Sequence, residues 1–84
     1  MSPNGTAKEA EQCLDNLSSV LEAAGSSMRK VVKVTIFMTD LDHFKDVNAI
    51  YAERFSEPFP ARTTVGVARL PLGARIEIDV VASL

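Results

Sequence analysis

The residues best suited to bind an anion lie in two segments near the end of the chain, ARTTVGVARL and ARIEIDVVAS. Both segments alternate polar and apolar residues with the period of two that a β-strand imposes on its side chains. We interpret them as the strands of a hairpin joined by PLG, with Arg62 and Thr64 on the same face as Glu77 and Asp79. An arginine can bind a carboxylate through two parallel hydrogen bonds, and a neighbouring carboxylate can orient a water molecule or accept a proton.

Two interpretations of this polar face remain open from the residues alone. A solvent-exposed sheet face would carry the same residues as cross-strand ion pairs, each contributing a few tenths of a kcal/mol, and half-exposed antiparallel sheets are common. Alternatively, the face lines a cleft in which Arg62 holds a carboxylate ligand, and each charged hydrogen bond then contributes about 1.5–3 kcal/mol.

Other reactive residue types are scarce in the sequence. One histidine, His43, and one cysteine, Cys13, cannot supply the spacing of a zinc site, so we expect no metal site. Cys13 falls in an apolar stripe, so we expect a small buried hydrophobic residue, and His43 is expected to be a solvated surface residue. A single cysteine also excludes an internal disulfide and fits a reducing compartment.

The composition argues against two classes of protein. The formal net charge is −2 and the nine lysines and arginines are dispersed, so the chain lacks the basic stripe of nucleic-acid-binding proteins. No apolar run approaches the roughly 18 residues that a membrane-spanning helix needs, and the first residues do not follow the layout of a signal peptide. We therefore expect a soluble cytoplasmic protein, or a mitochondrial one if a targeting segment precedes residue 1.

The spacing of apolar residues and turn signals predicts one domain over residues 1–84. Its predicted elements are a turn over 1–6, a helix over 7–24, a strand over 30–39, a helix over 42–56, and hairpin strands over 61–70 and 75–82. Thr6 and Glu9 have the spacing of a capping box, and Phe44 and Tyr51 belong to the apolar stripe of the second helix. Two amphipathic helices need a sheet to cover, which predicts an α+β two-layer sandwich with both helices on one face. Because three strands make a narrow sheet, we expect further strands from another segment or a neighbouring chain.

Four segments carry a resemblance to a known family: CLDNLSSVLEAAG, VVKVTIFMTDLDHFKDVNAIYAERF, PARTTVGVARLP and IEIDVVA. Their order and spacing, over about residues 8–82, resemble the RidA (YjgF) family of enamine/imine deaminases. The resemblance implies a chorismate-mutase-like fold, assembled as a homotrimer with active sites in clefts between subunits. It also implies hydrolysis of reactive 2-imino acids, such as 2-iminobutanoate and 2-iminopropanoate, to 2-keto acids and ammonia, with no cofactor.

The resemblance also implies roles for individual residues. Arg62 matches the arginine that grips the substrate carboxylate, and Glu77 matches the glutamate that orients or activates the attacking water. Asn48 matches an asparagine lining the cleft, and Thr64 stands where many members have a cysteine, so we assign both to substrate binding. Asp79 replaces a second glutamate, and we expect it to be structural.

The sequence differs from the family at its N-terminal end. Family members carry further N-terminal strands, including a Ser-Gly-Gln segment that contacts the substrate and an upstream tyrosine. Neither has a counterpart here, so we expect an N-terminally shortened form of the fold. This departure favours one alternative, a non-catalytic carboxylate-binding or regulatory protein that uses the same cleft. A ribonuclease or translation inhibitor is a third alternative, to which the acidic charge balance is least suited.

Overall fold

A computed structural model describes residues 5–84, which contain two α-helices and three strands. In chain order these are α1 (Gly5–Ala23), β1 (Val31–Met38), α2 (Phe44–Arg54), β2 (Ala61–Gly66) and β3 (Ile76–Ala82). Short 3₁₀ turns precede β1, α2 and β3, at Met28–Lys30, Leu41–His43 and Pro71–Gly73. The predicted α+β class, with both helices packed on a sheet, is confirmed. Of the turn predicted over residues 1–6, the first four residues lie outside the described residues.

Helix α1 packs on the sheet through side chains spaced four residues apart, and Ala10 and Leu14 are almost completely buried. The helix stops at Gly25, which has a φ of 85° and backbone hydrogen bonds of the Schellman type. The prediction that Thr6 caps the helix was wrong, because the helix already includes Gly5 and Thr6 is buried inside it. Glu9, the residue expected to complete the capping box, contacts Arg75 immediately before β3 instead.

The sheet has β1 in its centre, with β2 parallel on one side and β3 antiparallel on the other. The predicted hairpin between β2 and β3 was therefore wrong. After Gly66 the chain crosses the end of β1, where the Val67 N–H donates to the carbonyl oxygen of Met38 (2.8 Å) and the Thr39 N–H donates to that of Arg75 (3.1 Å). This crossing ends β2 before its predicted end and delivers β3 to the opposite edge.

Strand β1 takes the centre because its apolar run is the most continuous of the three, and a central strand is shielded by neighbours on both edges. The parallel pairing of β1 with β2 needs a long crossover connection, which α2 supplies. A crossover helix packs back on the sheet that it connects, and α2 contacts α1 and shares one core with it, so both helices lie on the same face.

The core lies between the helices and one face of the sheet, which we call the helix face. It is formed by Val34, Ile36 and Met38 of β1, with Ile76 and Ile78 of β3. Each fully buried aliphatic side chain of this kind contributes roughly 1.5–3 kcal/mol to stability.

The opposite face of the sheet, the outer face, has no helix of the described chain upon it. Val65 and Val81 on this face are 37% and 57% exposed, and Phe37, beside Val65, is partly exposed. Neither of the two helices within residues 5–84 is long and apolar enough to cross a membrane.

Candidate functional site

Arg62 lies on the helix face of the sheet, beside Val34 in the parallel register of β1 and β2. Its guanidinium reaches α2, where Cζ lies 4.7 Å from the centroid of the Tyr51 ring and 5.4 Å from that of Phe44. Arg62 Nη1 also donates a hydrogen bond to Oδ1 of Asn48. Phe44, Asn48 and Tyr51 are spaced four and three residues apart, which places all three on one side of α2.

An open cleft of about 400 Å³ borders this guanidinium, and we call it the Arg62 cleft. It is lined by Asn48, Tyr51, Ala52, Phe59, Pro60 and Arg62. An arginine has five N–H donors, and the contact with Asn48 uses one, so donors remain for the carboxylate of a ligand. The combination of one cation with apolar walls suits a small carboxylic acid with a short apolar side chain.

A second, slightly larger cleft of about 450 Å³ lies beside Met28, Glu53 and Pro58. None of the predicted site residues lines it. Its wall carries charges of both signs, and one of them, Arg54, is already paired with Asp15 of α1 at 2.8 Å. We therefore place the candidate site in the Arg62 cleft, although it is the smaller of the two.

Two buried hydroxyls adjoin Arg62 on the helix face. The hydroxyls of Tyr51 and Thr64 have no hydrogen-bond partner within residues 5–84, and a buried unpaired polar group costs about 1–3 kcal/mol. Burial raises the pKa of the Tyr51 phenol, and the positive charge of Arg62 lowers it by a smaller amount, so the phenol is neutral near pH 7. Both hydroxyls are therefore candidates for contact with a polar ligand.

The two acids predicted for the site lie on the outer face, away from Arg62. Glu77 stands beside Phe37 in the antiparallel register, Asp79 follows on the same side, and both are exposed. The prediction that these acids share a face with Arg62 and Thr64 was wrong. Because β1 separates β2 from β3, the side of the sheet to which each residue of β2 or β3 points depends on how that strand pairs with β1. A hairpin turn would have fixed the register of β2 against β3, but the two strands are not paired.

The structure thus brings together three of the predicted site residues, Arg62, Asn48 and Thr64, on the helix face. It leaves Glu77 apart. It also adds Phe44 and Tyr51, which their spacing assigned to the core stripe of α2. The signal that they share one side of the helix with Asn48 is present in the sequence, but its meaning depends on α2 lying over β2.

Cys13 and His43 lie outside the Arg62 cleft. Burial raises the pKa of the Cys13 thiol, and the negative charges of Glu9 and Glu77 raise it further, so the thiol is a poor nucleophile near neutral pH. His43 Nε2 lies 3.7 Å from a carboxylate oxygen of Asp40, in the turn before α2. Within the described part of the chain, no three His, Cys, Asp or Glu side chains are grouped to hold a metal ion.

Comparison with known sequences gives matches over nearly the whole chain. The sequence model of the family described as Endoribonuclease L-PSP matches residues 1–84. The RutC family protein y4sK of Sinorhizobium fredii is 48% identical over 77 residues, which cover 92% of this chain and 61% of the relative. A human protein named 2-iminobutanoate/2-iminopropanoate deaminase is 47% identical over 78 residues, which cover 93% of this chain and 57% of the relative. This chain therefore spans about three fifths of the length of the curated relatives it matches.

Comparison with solved structures also gives matches over nearly the whole chain. YyfA from Yersinia pestis, a protein of unknown function of the conserved Rid protein family, matches with a TM-score of 0.92 and 44% sequence identity. The match covers 100% of this chain and 68% of the YyfA chain. The two-layer arrangement of α1, α2 and the mixed three-stranded sheet is thus shared with a crystal structure over all of its described length.

Proposed function

Because this chain belongs to the Endoribonuclease L-PSP family, which is the RidA family that its motifs resemble, we propose that it hydrolyses reactive 2-imino acids to 2-keto acids and ammonia. The observation that carries the proposal is the guanidinium of Arg62, held against α2 beside an open cleft with donors left for a ligand. A 2-imino acid carries its carboxylate next to the reactive carbon, so a guanidinium that binds the carboxylate also positions that carbon.

The lining of the Arg62 cleft favours small substrates. Ala52, Phe59 and Pro60 give it apolar walls, which suit the methyl or ethyl group of 2-iminopropanoate or 2-iminobutanoate. The name of the human relative refers to these two compounds. The cleft volume of about 400 Å³ accommodates a molecule of this size together with a water.

Hydrolysis of an imine needs a positioned water and a group that can accept and return a proton. Water adds to the iminium carbon, and one of its protons passes to a base. The base returns this proton to the nitrogen, the C–N bond breaks to release ammonia, and the remaining hydroxyl gives up its proton to become the keto oxygen. No oxidant or reductant takes part, because water replaces nitrogen with oxygen at the same oxidation state. We assign the base to Glu77 and substrate contacts to Asn48 and Thr64.

Glu77 can serve this role only across an interface between copies of the chain. Within one chain, two strand spacings of about 4.8 Å separate β2 from β3, and Glu77 and Arg62 lie on opposite faces. The proposed assembly is a homotrimer in which Glu77 of one copy faces the Arg62 cleft of the next. The exposed apolar side chains of Val65 and Val81 on the outer face support such an interface.

The test is a coupled assay in which a threonine dehydratase generates 2-iminobutanoate and semicarbazide competes with the protein for it. Active protein suppresses semicarbazone formation. We expect Arg62→Ala to lower kcat/KM by about 100-fold, because a charged contact worth about 3 kcal/mol is lost and each 1.4 kcal/mol is tenfold in rate.

Arg69→Ala is the matched control, since Arg69 is an exposed arginine of the same segment outside the cleft. Circular dichroism and light scattering of both variants would show whether fold and assembly survive. Normal turnover by a folded Arg62→Ala variant would contradict the assigned role.

Carboxylate binding without turnover is a second candidate function, favoured by the separation of Glu77 from the Arg62 cleft within one chain. In this case calorimetry would detect binding of 2-oxobutanoate, and Arg62→Ala would abolish it, while the coupled assay would show no suppression. Suppression of semicarbazone formation by the wild-type chain would exclude a purely binding role.

A further inference from the structure

Arg62 is exposed on an edge strand, yet its guanidinium is held by three side chains of α2. The rings of Tyr51 and Phe44 lie within the roughly 6 Å at which a cation is attracted to an aromatic face. Asn48 fixes one edge of the group by accepting a hydrogen bond from Nη1. A long, flexible side chain is thereby restrained on two sides before any ligand arrives.

We propose that Phe44 and Tyr51 are positioning residues, which hold the guanidinium of Arg62 in the orientation that binds a carboxylate through two hydrogen bonds. This inference rests on the proposed function in that it assigns the Arg62 cleft to a carboxylate ligand. It goes beyond that function by assigning the orientation of Arg62 to aromatic rings on a neighbouring helix.

The burial of the two rings differs, and this difference makes the role testable. Tyr51 is only 6% exposed and contacts Phe55, with ring centroids 4.6 Å apart, whereas Phe44 is partly exposed at the start of the helix. Tyr51 therefore cannot move away from Arg62 without disturbing the core. Phe44 can be replaced at smaller cost to the fold.

The geometry also separates the ring of Tyr51 from its hydroxyl. Attraction to a cation uses the ring face, so Tyr51→Phe keeps the positioning contact and Tyr51→Leu removes it. A planar guanidinium can stack on a ring and can bind a carboxylate through two parallel hydrogen bonds. An ammonium group is not planar and has neither of these geometries. Arg62→Lys keeps the charge but loses this geometry, so it is expected to bind carboxylates more weakly than the wild-type chain and more tightly than Arg62→Ala.

The first readout is the side-chain NMR resonances of the Arg62 guanidinium, identified by their loss in Arg62→Ala. Rings beneath the group shift these resonances by ring currents. We expect the shift in the wild-type chain and in Tyr51→Phe, and its reduction in Tyr51→Leu and Phe44→Leu. Phe55→Leu is the control for general loss of packing, since it removes a buried aromatic ring of the same region that is not beneath Arg62.

The second readout is the Kd for 2-oxobutanoate, measured by calorimetry on the same variants. We expect Tyr51→Leu and Phe44→Leu to weaken binding about three- to five-fold, and Phe55→Leu to leave it within experimental error. Tyr51→Phe also removes a hydroxyl that adjoins the cleft, so this variant is judged by its guanidinium resonances and not by its Kd. If Tyr51→Leu does not fold, Phe44→Leu and Tyr51→Phe still test the proposal.

The positioning role would be overturned by guanidinium resonances that stay at the wild-type position in Phe44→Leu. It would also be overturned if Phe55→Leu weakened binding as much as Phe44→Leu does, or if the wild-type chain did not bind 2-oxobutanoate. A wild-type chain that binds 2-oxobutanoate but does not suppress semicarbazone formation would contradict the deaminase function alone. In that case the resonance and Kd changes would still support the positioning role.

Discussion

At the scale of single residues, Thr64 places a hydroxyl on the helix face beside Ile36, a residue of the core. The hydroxyl is buried and lacks a hydrogen-bond partner in the described chain. An unpaired hydroxyl in such a place lowers stability, and the proposed function assigns to it a contact with the ligand.

Thr64→Val replaces this hydroxyl with a methyl group of similar shape. We expect the free energy of unfolding to rise by roughly 1 kcal/mol, because the unpaired polar group is removed and valine suits a strand. Urea denaturation measures this gain. The Kd for 2-oxobutanoate should increase in parallel, and unchanged binding would show that the hydroxyl does not contact the ligand.

The thiol of Cys13 and the phenol of Tyr51 both have a raised pKa in the folded chain, chiefly because burial disfavours their charged forms. The unfolded chain therefore releases these protons at lower pH than the folded chain does. Their contribution to stability is complete below the unfolded pKa of the thiol, about 8.5, and is lost as pH rises through the folded values.

We accordingly expect the urea midpoint to be level between about pH 7 and 8 and to fall above about pH 8.5. Cys13→Ala should remove the first part of this fall and Tyr51→Phe the part near pH 10. A midpoint that rises over this range would contradict the direction of both shifts. Alkylation of Cys13 by iodoacetamide at pH 8 should also be slower than that of a cysteine peptide.

At the scale of elements, one carboxylate connects α1 to the start of β3. Glu9 Oε2 lies 2.6 Å from Arg75 Nη1, and Glu9 Oε1 accepts the backbone N–H of Arg75 at 2.8 Å. Both side chains are about one third exposed. The contact supports the crossing of the chain over the end of β1, since Arg75 is also the residue whose carbonyl oxygen pairs with Thr39.

Glu9→Ala removes both contacts and leaves a backbone N–H without its acceptor. We expect a loss of about 1–2 kcal/mol in the free energy of unfolding, reduced from the fully buried value by solvent screening. Glu11→Ala, at an exposed position of the same helix, is the control and should change stability by less than about 0.5 kcal/mol. Equal effects of the two substitutions would show that the Glu9 contacts contribute nothing specific.

At the scale of the whole molecule, the outer face has no helix of the described chain upon it and combines exposed apolar side chains with Glu77. A narrow sheet of three strands leaves both β2 and β3 as edges. These features support the homotrimer proposed above, in which the outer face and the Arg62 cleft belong to one shared site.

Val81→Glu tests this assembly without weakening the single chain. Val81 stands beside Lys33 in the antiparallel register, so a glutamate gains a cross-strand ion pair, while an interface on the outer face would bury its charge. Light scattering of the wild-type chain should give three times the chain mass of 9.1 kDa, and Val81→Glu should give a lower mass and lose turnover.

Val20→Glu is the control for this substitution, because Val20 is 64% exposed on α1, on the other side of the molecule from the outer face. It should leave both mass and turnover unchanged. Full turnover by a monomeric chain would contradict the need for a second copy to supply Glu77.

The local elements of this protein are readable from its sequence. The apolar spacing of α1, the β-branched run of β1 and the stop at Gly25 depend on residues within a few positions of each other, so periodicity and turn chemistry suffice to predict them. Arg62 is identifiable as a candidate because arginine can bind an anion through two hydrogen bonds, but the residues alone left a solvent-exposed face open as well.

The partners of these elements were decided by the tertiary structure. The turn residues of PLG permit a hairpin, but β1 carries the most apolar side chains, and burying it in the centre of the sheet outweighs a local turn. The central position of β1 separates Glu77 from Arg62, and the packing of α2 over β2 places Arg62 against Phe44, Asn48 and Tyr51. Sequence patterns report which face of an element is apolar, whereas the neighbour that covers that face depends on packing between segments distant in the chain.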